Sequence, residues 1–387
     1  MSNTLRMLRP LFAATFIFLV GNSLLNTLLS TRMAVEGFSL AATGMVLSWY
    51  FMGLLAGSFL CYRVIQKVGH LRAFTLFAAG TIAASLLHGL YMSPLFWGAL
   101  RFLCGITTFG LFVIIESWLY ECTEKPFRGR MFSIYLTLSY LGIGIGQQFI
   151  NFGNVQDSEL FIVAGIVFAL CLVPLSTAGS VPPHLTEQKA VRFLTLFRRA
   201  PGAMLGSMTA GLTCSSFYAM MPVACTDIGM TPQQMSWIMT LTVFSGLAVQ
   251  YVVGSLSDQF SHSAILNALT AAIALISGFM FINGNPAFWH LAVEMSLIGA
   301  LIFAVYPVSV AYAYNRLSGH DAVTISSGLL YAFSLGACIS PLLAAGVMSL
   351  LAKPTGLFAF WCVIHIAFAV TTRILKEPFE LVTAAVT

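Results

Sequence analysis

The sequence predicts an all-α integral membrane protein: twelve transmembrane helices in two parallel six-helix halves, with both termini cytoplasmic. Three observations carry that expectation. Of the 387 residues, 58% are hydrophobic and only 8% charged, whereas about a quarter of a soluble domain is charged. Cutting the chain at its charged or Gly/Pro-rich breaks leaves twelve apolar segments, each near the roughly 20 residues that span a bilayer as a helix. Finally, the 18 Lys and Arg residues are unevenly distributed. Alternate breaks and the two termini hold all of them except Arg32 and Lys353, on the opposite side, and Arg101, inside a segment. The rich side is the cytoplasmic one. The net charge of +5 is thereby a topology signal rather than a nucleic-acid surface. No long β-type alternation occurs, so helices rather than a barrel satisfy the backbone in lipid.

Each segment has its own justification. Segment 10–31 follows Arg6 and Arg9 like a signal peptide, but its apolar run is too long and lacks a small-x-small exit, so it is a retained helix. Segments 39–62 and 72–92 flank the basic hairpin "RVIQKVGHLR". Segment 95–120 carries Arg101 and Glu116, and 131–152 carries Gly142, Gly144 and Gly146. Segment 159–178 closes the first half, residues 1–178. The polar stretch 179–201, rich in proline and charge, is the cytoplasmic linker. The second half, 202–387, holds segments 202–223, 234–256, 264–283, 288–312, 323–347 and 356–375, with "SLSDQFSHS" after the second of these. Three matches at nearly one offset relate the halves: Gly69-His70 to Ser261-His262, Arg101 to Glu294, and the glycines from Gly142 to Gly336 and Ser340-Pro341. Tandem six-helix halves are parallel repeats about an axis normal to the membrane. Of eight cysteines only Cys225 falls near an external loop, and there is no CxxC or His/Cys cluster. No disulfide framework, metal or cofactor is expected.

On these residues the chain resembles the major facilitator superfamily over its full length. "RVIQKVGHLR" is similar to the signature hairpin G-x-L-x-D-R-x-G-R-R, keeping Gly69, Lys67 and Arg72 but with Gln66 at the acidic position. The second copy keeps Gly254, Leu256 and Asp258, with Gln259 and Ser261 in place of the basic residue and glycine. Arg101 with Gly105 resembles the family's helix-4 arginine motif, and "RGR" at 128–130 the start of its fifth helix. "ESWLYECTEKPFRGR" and "YPVSVAYAY" resemble the YcaD-like bacterial branch. Gly146 is followed by Gln147, so the Gly-Pro pair of drug/proton antiporters is absent. The resemblance implies a multi-pass protein of the bacterial inner membrane and a secondary transporter working by alternating access on a small organic solute. It also implies hairpin latches at a cytoplasmic gate, Lys67 with Asp321 and Asp258 with Arg128 and Arg130; the plain alternative makes the cations topology anchors. The expected partners are a small-molecule substrate, protons and lipid, with no nucleic acid, and the fold works as a monomer. The alternatives are facilitated diffusion, or a non-transporting sensor or lipid-flipping relative. No P-loop, H-E-x-x-H or G-x-S-x-G occurs, so an ATP-driven or enzymatic role lacks its motif.

Charged groups inside the bilayer are costly and mark function. They are Arg101, Glu116 and Glu294. The fifteen steps from Arg101 to Glu116 cover about 22 Å and leave the side chains about 60° apart, one polar face. In the family, helices 1, 4, 7 and 10 line the cavity, which implies that Arg101 and Glu294 face it. Proton coupling falls to Glu294 with Arg101, and His290, one turn outward, relays protons; the alternative is a permanent Arg101–Glu294 strut. Glu116 either joins the coupling or bridges to Arg128, Arg130 or a hairpin cation. Asn22 and Asn26 share a helix face and bind substrate or bridge helices. Gln147 and Tyr218 are further substrate candidates beside Arg101. Trp49, Tyr50, His88 and His365 read as packing.

Overall fold

The computed structural model describes residues 2–124, 127–176, 193–257, 259–284, 286–317 and 322–375. All regular structure among them is helical. The elements are α1 (Ser2–Val35), α2 (Leu40–Val68), α3 (His70–His88), α4 (Pro94–Glu121), α5 (Arg128–Gln148), α6 (Glu159–Leu170), α7 (Leu172–Ser176), α8 (Phe193–Arg199), α9 (Pro201–Ile228), α10 (Pro232–Ser257), α11 (His262–Asn283), α12 (Phe288–Arg316), α13 (Ala322–Leu351) and α14 (Gly356–Ile374). Each of the twelve apolar segments falls on a helix, the sixth on α6 and α7 together. Among the described residues, nine helices are long and apolar enough to cross a membrane.

Helix starts are written locally. Ser39 caps α2 by accepting from the Ala42 amide at 3.2 Å, and Ser261 caps α11 by accepting from the Ala264 amide at 3.3 Å. Such a hydroxyl satisfies a donor that the helix itself leaves free. Between α2 and α3, Gly69 turns the chain at φ +84°, a conformation side-chain-bearing residues avoid. Gly69 and Ser261 are the N-caps of α3 and α11, and His70 and His262 the first residues, so the hairpins aligned in the sequence occupy equivalent places.

The chain divides into two compact units: Met1–Glu187 with Gly229–Thr240, and Gln188–Ile228 with Leu241–Thr387. Thus the first turns of α10 group with the first unit. The core of the first unit gathers Phe18, Phe74, Trp97 and Phe168, and that of the second Phe217, Phe358 and Trp361, all essentially inaccessible.

Glycine sets the helix spacing within each unit. A Cβ on Gly105 would lie 2.1 Å from the Tyr50 carbonyl oxygen, and one on Gly53 2.1 Å from that of Phe102. Gly57 meets Phe109 one turn on, so α2 and α4 run side by side in the same direction. In the second unit a Cβ on Gly299 would lie 2.2 Å from the Thr242 oxygen and one on Gly246 2.4 Å from the Phe303 ring. A Cβ on Gly146 would likewise lie 2.5 Å from the Val20 oxygen of α1, and one on Gly336 2.3 Å from the Met208 oxygen of α9. Small residues let helix backbones approach in lipid.

Candidate functional site

The glycine contact between α2 and α4 fixes what stands one turn before it. Tyr50 precedes Gly53 by three residues and Arg101 precedes Gly105 by four, and the two side chains meet. The Arg101 guanidinium lies over the Tyr50 ring, 4.2 Å from its centroid. Its Nη2 donates to Oδ1 of Asn26 at 2.5 Å. Asn26 is held in turn by Nδ2 donating to the Asn22 carbonyl at 2.8 Å, and the Tyr50 hydroxyl donates to Asn22 Oδ1 at a long 3.5 Å. The structure therefore brings Asn22, Asn26 and Arg101 together.

Arg101 is only 2% exposed, and its Nε and Nη1 have no hydrogen-bond partner. A buried charge needs pairing to offset its lost hydration, and here a ring and one amide oxygen supply it. Nε and Nη1 keep N–H donors that no group among the described residues accepts.

Gln147 is 1% exposed, and its Oε1 accepts from Thr27 of α1, the residue after Asn26. Its neighbour Gln148 is the more connected residue, donating from Nε2 to the Ser236 carbonyl at 3.0 Å and to Thr240 Oγ1 at 2.7 Å. Asn151 donates to Ser236 Oγ at 3.0 Å, and Thr240 to the Gly144 carbonyl at 2.9 Å. This network holds the first turns of α10 onto α5.

Glu116 lies at the protein surface, and its Oε1 accepts from the Tyr135 hydroxyl at 3.1 Å in a part-buried contact. The bridge to Arg128 weighed from the sequence does not form. Arg128 stacks on Tyr120, 3.6 Å from the ring centroid, and its Nε donates to the Thr123 carbonyl at 3.2 Å. A cavity of about 400 Å³ opens here, lined by Glu116, Leu119, Tyr120, Arg128, Gly129 and Phe132. Arg130 and Lys67 are exposed. Asp258 and Asp321 lie outside the described residues, so neither latch is drawn.

In the second unit Glu294 is half-buried, and its Oε2 lacks a partner. His290, exposed one turn away, is its electrostatic neighbour. Tyr218 is half-buried, its ring 6.1 Å from that of Phe303. His88 and His365 are buried against the Ala84 and Trp361 carbonyls, at 2.6 and 2.8 Å, as packing residues should be.

Sequence reasoning left Tyr50, Gln148 and Asn151 out of the site. For Tyr50 a signal existed: Tyr50-x-x-Gly53 and Arg101-x-x-x-Gly105 place both side chains one turn before a close helix contact. For Gln148 none did, since two adjacent glutamines differ only in the direction they face.

Long apolar helices, nine of them among the described residues fit to cross a membrane, define a multi-pass membrane protein. The family model of the Major Facilitator Superfamily matches residues 11–341, and the chain belongs to that family, one of transporters and not enzymes. It is a multi-pass protein of the bacterial inner membrane that transports a small molecule. An uncharacterized MFS-type transporter of Yersinia pestis (strain Pestoides F) is 26% identical over 376 residues, 95% of each chain. The MFS-type transporter YcaD of Escherichia coli O45:K1 (strain S88 / ExPEC) is 27% identical over 362 residues, 90% of each. Among solved structures, a mutant of the nucleoside transporter NupG superposes with a TM-score of 0.80 at 13% identity, covering 96% of this chain and 100% of that one. A bacterial homologue of the lysosomal transporter Spinster gives 0.71 at 13%, covering 95% of both. These likenesses fix the fold alone.

Proposed function

We propose that this protein is a secondary active transporter that moves a small organic solute by alternating access, coupled to protons, with twelve spans and both termini cytoplasmic. The observation that carries the coupling is the Glu294 carboxylate, half-buried on an apolar helix with Oε2 unpartnered. A proton carrier must exchange its proton, which a carboxylate locked in a full set of hydrogen bonds does poorly. His290 hands protons to it from the outer end of α12. Arg101, positioned by Asn26 and Tyr50, anchors an acceptor group of the substrate through its Nε or Nη1 donor. Asn22 and Tyr218 complete the candidate contacts. The charged hairpins act as cytoplasmic latches, Lys67 with Asp321 and Asp258 with Arg128 and Arg130, each exposed pair worth about 0–1 kcal/mol. Such pairs bias a two-state equilibrium without freezing it.

The test is a proteoliposome screen for substrate-induced pH change, followed by Glu294→Gln. The variant should lose proton-driven accumulation and keep counterflow of the same solute. Accumulation against a gradient with unchanged pH dependence would remove Glu294 from the coupling and leave the strut reading. Wild-type counterflow with no accumulation under any pH gradient would make the protein a facilitated-diffusion carrier.

A further inference from the structure

We propose that the cavity between α4 and α5 at Glu116 is a second binding site, specific for a small organic ammonium ion with an apolar body. The cavity measures about 400 Å³, within the roughly 300–1,000 Å³ typical of small-molecule sites. Its walls are largely hydrocarbon: Leu119, Phe132 and the ring of Tyr120. Such surface gains by covering an apolar body.

The charge selectivity follows from how the two lining ions are held. Arg128 is held at the wall, its guanidinium over the Tyr120 ring and its Nε bonded to the Thr123 carbonyl. Among the described residues no ion pair joins it to Glu116. Glu116 receives one hydroxyl hydrogen bond, from Tyr135 to Oε1, and borders the cavity. That bond aims the carboxylate from α5 while leaving Oε2 to accept a further donor. A carboxylate at the edge of an apolar chamber, with the nearby cation held over the Tyr120 ring rather than paired with it, complements an ammonium head on a hydrophobic tail. The site is separate from Arg101, about four helical turns along α4, and the inference stands apart from the coupling proposed for Glu294.

Gly129 gives the site a clean handle. It lines the cavity, and a Cβ there would meet nothing within 4 Å. Gly129→Leu therefore adds bulk to the cavity lining from a position whose Cβ is unhindered, and leucine favours the helix. The experiment is calorimetric titration of the purified full-length protein in detergent with 4-phenylbutylammonium, and with 4-phenylbutyrate, which has the same body and the opposite charge. The cation should bind the wild type and the anion should not. Glu116→Gln, nearly isosteric, should weaken the cation about tenfold by removing the charge assistance. Gly129→Leu should abolish binding while the thermal midpoint holds or rises. Equal binding of both probes, or cation binding that survives Gly129→Leu, overturns the proposal. So does displacement of the probe by phosphatidylethanolamine at stoichiometric amounts, which assigns the chamber to lipid. Loss of coupling in Glu294→Gln with these titrations unchanged leaves the site standing.

Discussion

Arg101 is stabilised by a ring face and one amide oxygen, and these two contributions separate by mutation. A cation on an aromatic face is worth up to about 2 kcal/mol once desolvated. A hydrogen bond from a charged group adds about 1.5–3 kcal/mol. Tyr50→Leu removes the ring and should destabilise by about 2 kcal/mol. Tyr50→Phe keeps the ring and loses only a contact of 3.5 Å to Asn22, so its unfolding midpoint should match the wild type. Asn26→Leu leaves the guanidinium without its only hydrogen-bonded acceptor and should cost about 2–3 kcal/mol. Thermal unfolding in detergent reads all three. A Tyr50→Phe protein as unstable as Tyr50→Leu would mean that the hydroxyl, not the ring, holds Arg101. At this scale the sequence was partly legible. The charge of Arg101 in an apolar run announced a site, and Asn22 and Asn26 were visible by their spacing on α1. Side-chain direction was not: Gln147 turns into the α1–α5 seam and Gln148 towards α10, and nothing in a Gln-Gln pair distinguishes them.

Among elements, the helix pairs are limited by carbonyl oxygens rather than by side chains. A Cβ at Gly105 or Gly211 would stand 2.1 Å from the Tyr50 oxygen or 2.0 Å from the Phe333 oxygen. Backbone cannot rotate aside, so the helices must separate along their whole contact. Gly105→Ala and Gly211→Ala should each cost about 3 kcal/mol, the upper part of the usual range for overpacking. Gly346 on α13 provides the control, because its Cβ would meet nothing within 4 Å. Gly346→Ala should be neutral or stabilising by about 0.5–1 kcal/mol, the ordinary helix advantage of alanine. If all three substitutions behaved alike, close backbone approach would not be what selects glycine here. Helix existence was readable from apolar run length alone. Helix partners were not, since a glycine in an apolar segment gives no sign of which neighbour it admits. The internal repeat narrows that gap: Gly53 and Gly105 recur as Gly246 and Gly299, at offsets of 193 and 194, and each pair supports the same kind of helix contact.

At the scale of the whole molecule, the basic residues predict the topology, and two of them, Arg32 and Lys353, stand on the opposite side. Arg32 forms an ion pair with Glu36 at 2.9 Å and donates from Nη1 to the Val155 carbonyl at 2.7 Å. Its charge is offset locally and its side chain clasps the end of α1 to the loop before α6. Lys353 stands 5.7 Å from the centroid of the Phe281 ring, a weak contact that still orients the cation. Two such charges against fifteen on the other side leave the count of short-loop Lys and Arg decisive for the expected orientation. A fluorescent protein that matures only in the cytoplasm should therefore glow when fused after Thr387, and alkaline phosphatase there should be inactive. Alkaline phosphatase inserted after Gly284, between α11 and α12, should be active. Arg32→Ala should leave these reporters unchanged while lowering stability by about 1.5–3 kcal/mol, because it removes a charged hydrogen-bond donor and not a topology signal. An active phosphatase at the C-terminus would reverse the orientation of every helix and would put Glu116 and its cavity on the outer side, so the reporters decide from which compartment an ammonium ion reaches that chamber.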